Sequence, residues 1–491
     1  MLTEIKGLYS LYCIYRKLNA IKSMNGCVDA RYCTEIKQMV LAGGCIYIKF
    51  AQWVISRLRS ERGPNIEFVV NFFDDIFDQC PTHSLEHCKQ VFRENMDQEL
   101  DEVVDMSTFQ SIASGSVGQV YKARLLNPTM MCGACDDVVT QSHTGQCPSC
   151  FGDVTIIEDV AIKIKHPDIN KQIQDKVRLF SLLTMLQRIK WIKNYLHLHM
   201  DFGEFIANLT EQADFTNEYD NNRKFRVNFK GNPLVYFPFM ITGTSDLLIT
   251  EYVTGTTLDT ITEYNQLKCC YNYACMVSQM LVIDNFCHGD LHHGNWKIRP
   301  VQLGNSHDYQ IIVYDYGICF SASDVRINRV IVESFENNDP KKVLEVITEL
   351  IDGNFDDAVI QAVEQAVYHY REDSLDIVHL FNTINKLLVL YNCKLTANGM
   401  NTVLLLSLID TTLKKHNLVG GNATSSTLPR TTPSSIIRSK NLDLIAYAKS
   451  RGAYTAYVQY MNEKHERSRD SGSIELFAAC LNNQLELDPP E

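Results

Sequence analysis

Two short stretches constrain this chain more than any others: His288-Gly-Asp290-Leu-His-His-Gly-Asn295 and, one apolar hairpin later, Val313-Tyr-Asp315-Tyr-Gly317. The first sets an Asp and an Asn five residues apart on one loop. The second delivers another Asp at the end of an Ile/Val/Tyr strand, with a Gly after it. Phosphoryl transfer from a Mg²⁺-bound nucleotide needs this set: an Asp beside the nucleophile, and an Asn and a second Asp on the metal. Either stretch alone reads equally well as a turn. In this order, with that strand between them, they point to Asp290 as the catalytic Asp and to Asn295 and Asp315 as Mg²⁺ ligands.

Upstream, Phe109-Gln-Ser-Ile-Ala113-Ser-Gly115-Ser116-Val-Gly118-Gln-Val120 reads as strand, small-residue turn and strand. It fits the kinase loop G-x-G-x-x-G-x-V with Ala113 at the first Gly, and such a loop lets backbone N–H groups approach phosphates closely. The loop therefore nominates Ala113, Gly115, Ser116, Gly118 and Val120 for nucleotide binding. It gains force from Val160-Ala-Ile-Lys163, the strand whose Lys binds the α- and β-phosphates. An edge-strand lysine is the alternative, but Lys163 is flanked by Val160, Ile162 and Ile164.

An acid on a nearby helix should hold that lysine. Residues 201–228 read as one helix with an apolar stripe, and Glu211, Asp214 and Glu218 lie along one side of it at spacings of three and four. Glu218 is the choice and Glu211 the reserve; three solvated acids are the alternative. Strands follow at 234–240 and 246–252. Glu251-Tyr-Val253-Thr-Gly255 reads as a hinge, and a helix over about 257–287 leads into the catalytic loop.

Between the nucleotide loop and Lys163 lies an insertion with Cys132-Gly-Ala-Cys135 and Cys147-Pro-Ser-Cys150. Two C-x-x-C knuckles eleven residues apart, with Gly or Pro in the turns, are a Zn²⁺ signature. Four thiolates would close the shell, so the metal would be structural. His143 is a spare ligand, and two unrelated thiol pairs in a loose loop are the alternative. The remaining cysteines of the seventeen sit mostly singly in apolar patterns, which suits an intracellular, reducing compartment.

The N-terminal part reads as helices. Residues 3–24 form a basic amphipathic helix, which suits a surface helix packed on the protein, a helix on a membrane surface or an import signal. Residues 31–60 read as a second helix, carrying Lys49 and Gln52 on one face; on pattern alone these are solvated. Helices at about 65–79 and 84–97 follow, and residues 168–198 are helical. A net charge of −12 argues against a nucleic-acid surface, and no apolar run reaches the ~18 residues of a membrane span.

From about Arg31 to Asp324 the chain resembles the UbiB family, the aarF-domain atypical kinases linked to coenzyme Q. Lys49-Phe-Ala-Gln52 is similar to the family's K-x-G-Q. Val160-Ala-Ile-Lys163-Ile-Lys-His166-Pro167 resembles V-A-V-K-V-Q-H-P, Asp214-Phe-Thr-Asn-Glu218 resembles D-F-x-x-E, and the catalytic loop resembles H-x-D-x-H-P-G-N with His293 for Pro. The resemblance implies that Lys49 and Gln52 lie over the nucleotide as a gate that blocks peptides. It also implies a water or lipid-like acceptor, a role in quinone or membrane-lipid metabolism, and a mitochondrial or membrane-associated location. Three departures stand out: Gln212 for an acid, Ala51 for Gly, and the zinc insertion. Gly289 in place of Arg, and a helix starting at Ser323, set the chain apart from peptide-docking protein kinases.

The expectation is an α+β, bilobal protein-kinase-like fold. A helical extension would fill 1–108, an N-lobe 109–252 with a zinc-ribbon-like insertion at 126–157, and a helical C-lobe 253–419. A turn-rich linker at 420–440 and a helix with a tail at 441–491 would complete it. The C-lobe helices are read at 324–336, 340–352, 355–371, 374–391 and 396–416. ATP, Mg²⁺ and structural Zn²⁺ are the expected cofactors. Turnover by an ATPase or small-molecule kinase is the leading reading, and a nucleotide-gated scaffold is the alternative.

Overall fold

The computed structural model describes residues 2–21, 28–58, 64–73, 80, 82–140, 145–187, 202–280, 284–292, 294–303 and 306–321; beyond them it describes 351–352, 357–372 and scattered residues up to 399. His143, His293, the helix start at Ser323, the linker and the C-terminal helix fall outside the described residues. The chain forms two compact units, each discontinuous in sequence. The first holds 1–223, 238–253 and 316–318; the second holds 224–237, 254–315 and 319–491.

The first unit is built on a sheet in the order β1-β2-β4-β7-β6, with β3 added to β2. Its strands are β1 (Val104–Ser114), β2 (Gly118–Cys132), β3 (Val138–Val139), β4 (Val154–Lys165), β6 (Met240–Gly243) and β7 (Leu247–Glu251). Along β4, Val160, Ile162 and Ile164 are fully buried and alternate with Ala161 and Lys163, the period of a strand with one face on a core. That core includes Cys88, Val91 and Phe92 from α5 (Leu85–Met96), packed on Tyr121 and Ala123 of β2. Ser84 caps α5, its hydroxyl accepting from the His87 N–H at 3.3 Å.

The helices ahead of the sheet are α1 (Leu2–Ala20), α2 (Ala30–Ala42), α3 (Cys45–Leu58) and α4 (Pro64–Phe72). Leu11, Ile14, Tyr15 and Leu18 of α1 are buried, the Tyr32 hydroxyl donates to the Lys17 carbonyl, and the Tyr47 hydroxyl to the Gly7 carbonyl. Thus α1 packs on the protein. Residues 31–60 are two helices rather than one. The chain breaks at Gly43-Gly44, where Gly44 takes φ +79°, a conformation that costs glycine little and ends a helix. A four-residue turn, α6 (Leu100–Val103), leads into β1, and α7 (Ile169–Gln187) follows β4.

Residues 201–228 are also two helices, α8 (Phe202–Gln212) and α9 (Phe215–Asn228). Asp214 makes the break: its carboxylate accepts from the N–H of Thr216 at 3.0 Å and from its hydroxyl at 2.7 Å. A short polar side chain that satisfies the first N–H groups of a helix starts one rather than continuing it.

The second unit carries β5 (Val235–Tyr236), β9 (Trp296–Leu303) and β10 (Ser306–Val313) in the order β5-β10-β9, together with α10 (Glu263–Ser278). Strand 234–240 is shortened to Val235–Tyr236, because Pro233 and Pro238 cannot donate to a ladder. The helix expected over 257–287 ends at Ser278, and Phe286–His288 is instead strand β8, paired with β11 (Cys319–Ser321). Asn285, at φ +50°, turns the chain into that strand. Likewise Ile351–Asp352 is strand β12, paired with β13 (Lys394–Leu395), where a helix was expected; α11 (Asp357–Glu372) occupies the next helical segment.

Candidate functional site

In the first unit, β1 and β2 pair through Ala113↔Val120 and Ser114↔Gln119, so Gly115, Ser116 and Val117 form the turn between them. The Gly115 N–H closes it on the Gly118 carbonyl at 3.0 Å. Only glycine fits at 118: a Cβ there would lie 2.8 Å from the Ile164 carbonyl oxygen and 3.0 Å from the Phe215 ring. Ser116 is buried, and its hydroxyl donates to the side-chain oxygen of Gln52 at 3.4 Å. Thus α3 lies against this loop, with Ala51 and Gln52 buried and Lys49 half-buried.

Val120 of β2 is paired with Lys163 of β4. The Lys163 ammonium lies 2.6 Å from Glu218, with the two side chains 19% and 4% exposed, and 5.0 Å from the centroid of the Phe215 ring. The second oxygen of Glu218 accepts from the Tyr316 N–H at 3.4 Å, and the Tyr316 carbonyl accepts from Asn221 at 3.0 Å. Burying such a pair brings little net stability, since desolvation of both charges offsets their attraction. A lysine kept there in one geometry is therefore better explained by what it binds. Glu211, the reserve, is exposed, and Asp214 is used as the cap described above. Lys165, two residues on and so on the same strand face, pairs with Asp246 at 2.7 Å.

In the second unit, β9 and β10 pair in register from Leu303↔Ser306 to Trp296↔Val313. That register brings Asn295 and Asp315, which flank the open end of the hairpin, onto neighbouring chains; the Tyr314 N–H donates to the Asn295 carbonyl at 3.0 Å. The Asn295 amide nitrogen donates to the Asp290 carbonyl at 2.8 Å, which fixes the amide orientation and leaves its oxygen as the group for a cation. Fully buried His288 ties the two loops. Its Nε2–H donates to the Asp315 carbonyl and its Nδ1 accepts from the Asp290 N–H at 3.1 Å. Burial holds this imidazole below its ordinary pKa, in keeping with a neutral ring. The Asp290 side chain stays 26% exposed, 3.9 Å from His292. Asn295 and Asp315 are hard oxygen donors of the kind Mg²⁺ takes.

The four cysteines of the insertion also meet. The sulfurs of Cys132, Cys135, Cys147 and Cys150 lie within 4.8 Å of one another. A tetrahedral Zn²⁺ at ~2.3 Å from each sulfur spaces them by ~3.8 Å, so the set fits that ion. Among the described residues the buried cluster here is Cys132, Val139 and Cys147, with Met130, Ala134, Cys135 and Val154 packed against it.

Sequence reasoning assigned no part to His83, Phe215, Asn221 or the backbone of Tyr316. His166 was placed in the lysine strand's motif without a role. His83, Asn221 and the Tyr316 backbone carry no sequence signal beyond their neighbours; Phe215 and His166 stand in the D-F-x-x-E and lysine-strand motifs, and their contacts come only from the structure. Among the described residues no helix is long and apolar enough to cross a membrane.

A family model described as "ABC1 atypical kinase-like domain" matches residues 75–130 and 152–347. It passes over 131–151, the segment with all four clustered cysteines, and does not reach Lys49 or Gln52. A mitochondrial ABC1 family protein of Schizosaccharomyces pombe is 27% identical over 52% of this chain and 37% of its own length. A probable serine/threonine-protein kinase of Dictyostelium discoideum, abkC, is 25% identical over 52% of this chain and 33% of its own. The chain thus matches little more than a third of these relatives. The solved complex of Rv3197 with erythromycin from Mycobacterium tuberculosis covers 68% of this chain and 83% of that one at 17% identity, with a TM-score of 0.41, too low to argue from.

Proposed function

The chain belongs to the ABC1 atypical kinase-like family, and on that premise we propose that it binds Mg²⁺-ATP and transfers the γ-phosphoryl group to water or to a small lipid-like acceptor. The observation that carries this reading is the part-buried pair of Lys163, on the strand next to the glycine turn, with the buried Glu218 of α9. Lys163, kept extended by Glu218, would grip the α- and β-phosphates, and the N–H groups of the 113–120 turn would take phosphate oxygens. Asn295 and Asp315 would hold Mg²⁺. Asp290, on a loop fixed by His288, would orient the acceptor oxygen and take its proton. Gln52, against Ser116, and Lys49 on the same helix would form the gate over the nucleotide.

The Cys132, Cys135, Cys147 and Cys150 set would hold a structural Zn²⁺. The quinone or membrane-lipid setting rests on the family resemblance, and the mitochondrial location on that resemblance and on the S. pombe relative being a mitochondrial protein. A nucleotide-gated scaffold with negligible turnover is the second reading; the cysteine insertion absent from the family match favours it as a partner-holding element.

Phosphate release from Mg²⁺-ATP, by wild type and by Lys163→Ala, separates the two readings, with a generic peptide mixture as a further acceptor. Slow release that Lys163→Ala abolishes, without peptide labelling, supports the first. Binding without release supports the second, and peptide labelling contradicts the choice of acceptor.

A further inference from the structure

Three imidazoles, His83, His87 and His166, pack beneath the glycine turn. The ring of His83 lies edge-on to His87 and to His166, at 4.8 and 4.9 Å between centroids. His83 Nδ1 is 2.8 Å from His166 Nδ1, and His166 Nε2 is 3.0 Å from the carbonyl oxygen of Gly115. The backbone N–H of His166 donates to the Val117 carbonyl at 2.9 Å, and the Cys80 N–H to the Ser114 carbonyl at 2.7 Å. The His83 N–H donates to the side chain of Gln119 at 3.0 Å.

These contacts fix every proton. A carbonyl only accepts, so His166 Nε2 carries a hydrogen. In a neutral His166 the Nδ1 is then the acceptor, and His83 must donate to it from its own Nδ1. His83 Nε2 is left as a bare lone pair, and that atom is indeed buried with no hydrogen-bond partner among the described residues. A charged His166 would set its Nδ1–H against that of His83, whereas a charged His83 keeps its Nδ1–H on the His166 lone pair and gains an Nε2–H.

The grip has a direction. In a trans peptide the C=O and the following N–H point opposite ways. Holding the carbonyls of Gly115 and Val117 on His166 therefore turns the N–H groups of Ser116 and Gly118 to the other side of the turn.

We propose that His166, held in one tautomer by His83, is a positioning residue of the nucleotide loop that presents the Ser116 and Gly118 N–H groups to phosphate. The proposal rests on the reading of this turn as a nucleotide loop. Burial and the neighbouring imidazoles push His83 down to about 4, and burial lowers His166, in keeping with two neutral rings. The other titratable groups facing the pair are few. His87 donates to the Lys165 carbonyl at 2.8 Å, Lys165 is neutralised by Asp246, and Tyr121 is hydrogen-bonded by Cys88.

The test uses the full chain with ¹⁵N-labelled histidine, its imidazole signals assigned through His83→Asn and His166→Gln. At pH 7.5 the spectrum should show His83 in the Nδ1–H tautomer, the minor form in water, and His166 in the Nε2–H tautomer. Mg²⁺-ADP affinity is measured on the same samples at pH 7.5. His166→Leu should weaken binding by ~10-fold, the value of one buried hydrogen bond. His166→Gln, whose amide N–H reaches the same carbonyl, should stay within ~3-fold of wild type. The opposite tautomer in either ring, or His166→Leu binding as wild type does, overturns the proposal. A wild type that binds no Mg²⁺-ADP at pH 7.5 while showing the expected tautomers overturns the nucleotide reading, and this role with it. The wild-type spectrum and the glutamine variant keep the test open should the leucine variant fail to fold.

Discussion

Strands β2 and β4 are one ladder with two unlike ends. At one end, Gly118↔Lys165 and Val120↔Lys163 hold the glycine turn and the buried lysine on a core built from both strands, β7 and α5. At the other, Cys132↔Val154 and Met131↔Thr155 carry the cysteine knuckles, and a register shift between Arg124 and Thr129 separates the two. The first end is stabilised by packed side chains. The second buries Val139 with two of the four thiols, Cys132 and Cys147, and leaves Val138, Phe151 and Ile156 exposed at 51%, 74% and 64%. So small a core does not hold a fold alone and calls for a cross-link. The family match includes the first end and omits the second. One ladder thus carries the glycine turn and Lys163 at the end that the family model covers and a four-cysteine addition at the other.

The largest effect should come from removing zinc. Stripping the metal should speed amide exchange across the cysteine insertion by more than ~100-fold, since a metal-closed site is folded only while loaded. Mg²⁺-ADP affinity should shift by less than ~3-fold, as for sites with no shared partners. A metal-free protein whose insertion exchanges as slowly as before would break the contrast between the ends. Next, Glu218→Ala strands a lysine ammonium that is only 19% exposed, and should cost ~3 kcal/mol in denaturant unfolding. The double change Lys163→Met with Glu218→Leu should regain most of that loss and still bind no nucleotide, which would separate stability from binding at this end.

A smaller effect is expected at the turn itself. Gly118→Ala forces a methyl against the Ile164 carbonyl and the Phe215 ring and should cost ~1–3 kcal/mol. At Gly115 the nearest atom to a new Cβ is the Gly118 oxygen at 3.6 Å, an ordinary contact, so Gly115→Ala should be milder by melting temperature. The smallest is the response to acid. With His83 lowered from 6.5 to about 4 in the fold, the unfolded chain takes up a proton that the fold refuses between those values. Stability is then complete above pH ~6.5 and falls as the pH drops toward ~4. His83→Asn should flatten that part of the pH–stability curve, and an unchanged curve would show that His83 titrates normally.

The strand–turn–strand, the lysine strand, the 296–313 hairpin and the cysteine knuckles were all legible, because each has a local pattern that the fold keeps. The acid opposite Lys163 was narrowed to three by helical spacing. Among them Glu218 is the choice and Glu211 the reserve, the D-F-x-x-E resemblance supports that choice, and in the structure Glu218 lies on the lysine while Glu211 is exposed. The spacing argument itself was imperfect, since Asp214 ends one helix and caps the next. Helix ends failed where a glycine pair, a capping Asp or a short strand overrode an apolar stripe: at Gly43-Gly44, at Asp214 and at Phe286–His288. His83 was invisible because nothing near it in sequence reports that Cys80 and His83 lie against a turn some thirty residues downstream.

The most direct measurement is equilibrium binding of Mg²⁺-ATP by calorimetry to zinc-loaded wild type, Lys163→Ala and Asp315→Asn. Wild type should bind in a Mg²⁺-dependent way, Lys163→Ala should lose at least ~10-fold, and Asp315→Asn should lose the Mg²⁺ dependence. Equal affinity in all three, or no binding by a folded, zinc-loaded wild type, would contradict the nucleotide site and leave the chain a kinase-like scaffold.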